Sequence, residues 1–141
     1  CKALELAKSH PEWEWTLIVE DDIAFKENPW NEIRLALENA TPDVLMIARG
    51  ASIVHERRHD SSNNLCKVKS ACVAAGYIVH RNYIPTLLEN IYESIEHFIQ
   101  PSGNVIDHPH DVYWYSIQER DRWYTFQETP AWALNADSDI R

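Results

Sequence analysis

The chain has 141 residues, with 13 Lys plus Arg against 22 Asp plus Glu and a net charge of −9; so acidic a surface repels nucleic acid and anionic membranes and argues against both as partners. Hydrophobic residues make up 45% and charged residues 25%, the balance of one globular domain with a proper core and not of a disordered segment. No apolar run nears the roughly 20 residues of a membrane helix, and Cys1, Cys66 and Cys72 lack any CxxC spacing, which argues against zinc and against a disulfide framework.

Residues 2–9 have the composition of a helix, with Ala3, Leu4, Leu6 and Ala7 available for burial and Pro11 soon after to stop it. Thr16-Leu17-Ile18-Val19 reads as a buried strand that ends in Glu20-Asp21-Asp22. Asn28-Pro29 then supplies a cap and a first-turn proline for a helix whose apolar face is Trp30, Ile33, Leu37 and Ala40. Thr41-Pro42 breaks that helix, and residues 43–48 form a second buried strand. Helix, strand, helix, strand is the rhythm of an α/β sheet.

From residue 49 to 64 the periodicity disappears, and a long functional loop is predicted there. Residues 66–69 and 72–79 read as two short strands. A strong helix follows over 83–99, with Ile84, Leu87, Leu88, Ile91, Ile95 and Phe98 on one face and Pro85 in its first turn. A loop over 101–109, a short helix over 111–119 and a strand over 123–126 complete the pattern, and the tail from residue 130 has no clear period. There is no internal repeat and no linker. Because the chain opens on Cys1 and not Met, inside what reads as a helix, it is expected to be a fragment of a longer protein.

The acid cluster carries the most chemistry. In open α/β sheets, ligands bind outside the carboxyl ends of strands, where Glu20-Asp21-Asp22 falls. Three adjacent carboxylates repel one another unless something positive lies among them, and their oxygens suit Mg²⁺ or Mn²⁺. A solvated acidic turn is the simpler alternative.

Three segments together resemble glycosyltransferase family 25, the lipopolysaccharide and collagen β-galactosyltransferase group. Val19-Glu20-Asp21-Asp22 is similar to its acidic strand end. Residues 74–83, Ala-Ala-Gly-Tyr-Ile-Val-His-Arg-Asn-Tyr, are similar to its small-residue strand leading into a long helix. Asp111-Val112-Tyr113-Trp114, then Trp123-Tyr124, Pro130 and Ser138-Asp139-Ile140, follow the order of its C-terminal signals. The resemblance implies a GT-A-like, Rossmann-like mixed sheet flanked by helices, a UDP-sugar donor, and Mn²⁺ or Mg²⁺ held by Asp22 with Asp21 or Glu20. It also implies a hexose, galactose or glucose, passed with inversion to a hydroxyl of a glycan or hydroxylated protein.

Other residues have two readings each. Asp111 is either a helix N-cap or, matching an aspartate of the family, the base facing the acceptor hydroxyl. His108 and His110 beside Asp107 and Asp111 are either a solvated cluster or part of a metal site. Arg57 and Arg58 are either surface charges or a bidentate clamp folding over the donor diphosphate. Gly76-Tyr77 is most simply a core strand with a close-packing glycine. Six Trp and six Tyr fill a core or stack on sugar rings. The reading is a single metal-dependent hexosyltransferase domain. A non-catalytic carbohydrate- or protein-binding module on a degenerate version of the fold is its first rival, and a metal-dependent phosphohydrolase its second. Unpaired cysteine usage fits the cytoplasm better than secretion, and the compartment is otherwise open.

Overall fold

The computed structural model describes residues 1–49, 53–57, 64–72, 75–99 and 113–134. Helix α1 (Lys2–Lys8) leads to strand β1 (Trp15–Val19) and the short β2 (Ile23–Phe25). Helix α2 (Trp30–Ala40) is followed by β3 (Val44–Ala48), β4 (Ile53–Arg57), β5 (Leu65–Ala71) and β6 (Gly76–His80). A 3-10 turn (Arg81–Tyr83) enters helix α3 (Ile84–Ile99), and α4 (Tyr115–Arg120), β7 (Trp123–Phe126) and β8 (Ala131–Ala133) close the described chain.

Six strands form one sheet in the order β1-β6-β3-β7-β5-β4, and β2 pairs with β8 in a separate two-stranded ribbon. Within the main sheet β3 and β7 are parallel and the other neighbours antiparallel. The result is the α/β class, a mixed sheet flanked by helices.

The central strand explains the layering. Val44 and Met46 enter one core with Leu4, Tyr77, Leu87, Trp114 and Trp123, under α1, α3 and α4. Leu45 and Ile47 enter a second core with Ile33, Ala36, Ile78, Phe126 and Ala131, under α2 and the β2–β8 ribbon. A strand covered on both faces reads as a continuous apolar run, as residues 44–48 do.

Four elements differ from the sequence reading. The strand before the acids is not buried: β1 is an edge strand paired only with β6, so Leu17 and Val19 remain 38% and 42% exposed. The 49–64 segment is not one long loop, since Ile53–Arg57 pairs antiparallel with β5. Trp30 does not join the buried face of α2; it is exposed and rests on the Phe25 ring at 5.3 Å. The tail beyond residue 130 contains β8, whose three residues are too few to show a period. At α2's start Pro29, not Asn28, holds the cap position, and at its end Thr41 adopts the left-handed region with φ 42.

Gln118 on α4 is fully buried, and its amide copies a neighbouring strand. Its Oε1 accepts from the Ala71 N–H at 2.7 Å, and its Nε2 donates to the Ala71 carbonyl at 2.9 Å. Lys67 of β5 donates to the Gln118 carbonyl at 2.8 Å and to the Asp121 carbonyl, satisfying the end of α4. Replacing Gln118 with Leu strands both backbone groups of Ala71 away from water. Urea unfolding of Gln118→Leu is expected to show a loss of about 2–3 kcal/mol; unchanged stability would show that the amide bridge contributes nothing.

Candidate functional site

The pairing directions place the carboxyl ends of β1, β3 and β7 on one edge of the sheet, beside the amino ends of β6 and β5. Val19, Gly76 and Ala48 lie side by side there in register. Gly76 sits where a side chain would be crowded. A Cβ at this position would meet Ile47 Cγ1 at 3.2 Å, Ala48 Cβ at 3.3 Å and Val19 Cγ1 at 3.6 Å. The β3–β6 register also slips between Met46 and Ala48, so that Ile47 and Ala48 both join the α2-side core. Such a bulge re-aims the chain as it leaves the strand.

Beyond Val19 the chain turns through Glu20, Asp21 and Asp22 into β2. The turn is tied on two sides: the Glu20 N–H donates to the Ala75 carbonyl at 2.9 Å, and the Asp22 carbonyl accepts from the Leu134 N–H at 2.7 Å. Glu20 and Asp21 are exposed, whereas Asp22 is half-buried. Asp22 Oδ1 lies out of contact with solvent and has no hydrogen-bond partner among the described residues. A carboxylate oxygen in that condition is costly unless a cation or donor meets it, and a carboxylate is the ligand type that hard divalent ions take. Among the described residues, however, no group of three or more His, Cys, Asp or Glu side chains comes together in a position to hold a metal.

A cavity of about 400 Å³ opens beside Glu20, lined by Leu4, Ile18, Val19, Tyr77, Ile95 and Trp114 among others. Its aromatic wall continues inward, with Tyr77 edge-on to Trp114 at 5.5 Å and Trp114 tilted against Trp123 at 5.3 Å. Much of the aromatic content thus belongs to the core. Tyr83 closes the series, donating to Asp121 Oδ2 at 2.7 Å and accepting from Trp123 Nε1 at 3.0 Å.

The predicted cations are placed unevenly. Arg57 ends β4, paired with Cys66, at the far side of the sheet from β1. Five strand spacings separate β1 from β4 in that order, about 24 Å at the usual separation of ~4.8 Å. The carboxyl end of β4, with Arg57 as its last residue, nevertheless falls on the same edge of the sheet as the carboxyl ends of β1, β3 and β7. Arg58, Asp111, His108, His110 and Asp107 lie outside the described residues. Sequence reasoning missed Arg49, which follows the central strand on the same edge, only two strands from β1. Its Nη2 donates to the Gln127 carbonyl at 2.9 Å, and its Nε is buried without a hydrogen-bond partner among the described residues. The signal available in the sequence was its position, the first residue after the most apolar strand.

No family model matches this chain, and no curated protein is significantly similar to it. Among the described residues, no helix is long and apolar enough to cross a membrane.

Burial pushes the Tyr77 phenol up from 10.0 to about 12. A folded-state value above the unfolded one means stability fully present below about pH 10 and lost as pH rises towards 12, because the unfolded chain releases its proton first. Alkaline unfolding followed by circular dichroism should therefore steepen above pH 10, and Tyr77→Phe should flatten that limb. An identical alkaline limb in both proteins would contradict this role for Tyr77.

Proposed function

We propose that the chain is a metal-dependent hexosyltransferase domain of GT-A type, using a UDP-sugar and an acceptor hydroxyl on a glycan or hydroxylated protein. The observation that carries the reading is the orphaned, buried Oδ1 of Asp22 at the carboxyl end of β1, in a segment that resembles the acidic strand end of glycosyltransferase family 25. The α/β class and the gathering of strand ends on one edge support it.

In this reading Asp22, with Asp21 or Glu20, would hold Mn²⁺ or Mg²⁺. The ion's chemistry there is to offset negative charge on the departing nucleoside diphosphate. Arg49, anchored to the β7 end through Gln127, is a further candidate diphosphate partner beside Arg57 and Arg58. Asp111 accepts the acceptor hydroxyl's proton as that oxygen bonds to the sugar's anomeric carbon and the carbon–phosphate oxygen bond breaks. Inversion is the outcome of one such displacement. The resemblance, not the geometry, supplies the sugar class.

A second reading, a non-catalytic carbohydrate- or protein-binding module on a degenerate glycosyltransferase fold, is favoured by the absence of a three-ligand group among the described residues. Such a module would bind glycan without needing either Mn²⁺ or UDP.

Two substitutions test the enzyme reading. Asp22→Asn preserves shape but removes the charge, and should abolish Mn²⁺-dependent UDP binding in calorimetry with the thermal transition unchanged; undiminished binding would remove Asp22 from the site. Asp111→Asn should lower sugar transfer by at least ~100-fold with UDP affinity unchanged. Near-normal transfer would leave Asp111 as a helix cap, a role that Asn fills well.

A further inference from the structure

A second cleft, of about 480 Å³, lies at the opposite edge of the sheet, where β1 begins and β6 ends. Trp15 and His80 are cross-strand partners there, with rings edge to face at 4.7 Å. The half-buried Trp15 packs on the α2-side core, and Leu37 and Pro42 extend the apolar surface. His80 Nδ1 accepts from the Asn82 N–H at 3.3 Å, which leaves the neutral ring's proton on Nε2.

Around this surface stand planar polar groups already held in place. The Arg34 guanidinium donates to both Glu38 oxygens at 2.8 and 2.9 Å and to Asn31 Oδ1 at 3.1 Å. Arg122 grips Asp43 through Nη2 at 2.6 Å and Nε at 3.2 Å, with Nη1 to Thr41 Oγ1 at 3.4 Å. Glu14 completes the rim. Thr41, a β-branched residue in the left-handed region, also lines the cleft, and strain of that kind is concentrated at functional positions.

The lining has two guanidinium groups and two carboxylates, and Asp43 adds a third carboxylate behind Arg122. An anion gains nothing from that balance, so phosphate and nucleotides fit poorly. A neutral ring with an apolar face and equatorial hydroxyls fits well. Its C–H face can lie on the indole, and its vicinal hydroxyls meet fixed forked donors and acceptors. The volume is that of a small-ligand site. We infer that this cleft is a saccharide-binding subsite that takes an uncharged pyranose ring on Trp15. It is separate from the acid turn and requires neither a metal nor a nucleotide.

The test is chemical-shift mapping of the chain without added metal, titrated to tens of millimolar with methyl β-galactopyranoside, methyl α-glucopyranoside or lactose. Glucuronate and inorganic phosphate serve as anionic controls. Saturable shifts for at least one neutral probe are expected at the Trp15 indole, Thr41 and His80, with the anions giving none there. Trp15→Leu should weaken that binding at least ~10-fold, the scale of one lost ring contact. Should Trp15→Leu fold poorly, Arg34→Gln on the solvent side of α2 provides the same comparison. Shifts absent for all three neutral probes, centred elsewhere, stronger with the anions, or insensitive to a well-folded variant would each overturn the assignment. Because no Mn²⁺ or UDP is present, failure here leaves the acid-turn reading untouched, and failure at Asp22 leaves this one untouched.

Discussion

The structure depends on the burial of β3 from both sides. All five residues, Val44 to Ala48, are fully buried, so the strand can exist only if helices cover one face and α2 with the β2–β8 ribbon covers the other. A strand of this kind leaves no polar side chain to compensate its backbone, and its N–H and carbonyl groups must be paired on both sides. Strands β6 and β7 do that. Their positions in turn fix where β1 and β5 attach, and hence which strand ends meet at the acid turn.

The same constraint shapes the site edge. Gly76 lets β3 lie so close to β6 that a methyl group there would crowd Ile47 and Ala48 while only touching Val19 of β1. The slip at the end of β3 then releases the chain at Arg49. The acid turn leaves β1 at the same edge and is fastened by Ala75 on one side and Leu134 on the other. Two backbone hydrogen bonds hold the main chain of the turn, while the Asp22 carboxylate retains a buried oxygen with no partner among the described residues. A turn tied at two backbone points with one unpartnered carboxylate oxygen is compatible with the proposed cation site.

What was legible in the sequence follows from signal length and burial symmetry. Residues 44–48, 84–99 and 123–126 were readable because long or two-sided apolar patterns have few alternative explanations. Strand β1 was misread because Thr16-Leu17-Ile18-Val19 has the same composition whether one or two neighbours flank it; only its place at the sheet edge leaves Leu17 and Val19 in solvent. Strand β4 was missed because Ile53-Val54-His55-Glu56-Arg57 gives only a short apolar start followed by polar residues, the usual form of an edge. Strands β2 and β8 are too short for any period, and their pairing spans the whole described domain. At the site, the acids were visible as a run, but the orphaned oxygen of Asp22 was not, since it depends on how the turn packs. Arg49 was passed over because its place, on the strand end two strands from β1, depends on a strand order that the sequence does not display.

The proposed hexosyltransferase reading requires a divalent cation at Asp22. Paramagnetic broadening of amide resonances during a Mn²⁺ titration tests it directly, because broadening falls off steeply with distance from the ion. Saturable broadening is expected to centre on residues 20–22, to extend to the Leu134 amide that donates to the Asp22 carbonyl, and to disappear in Asp22→Asn. Broadening centred elsewhere, or unchanged in Asp22→Asn, would contradict it.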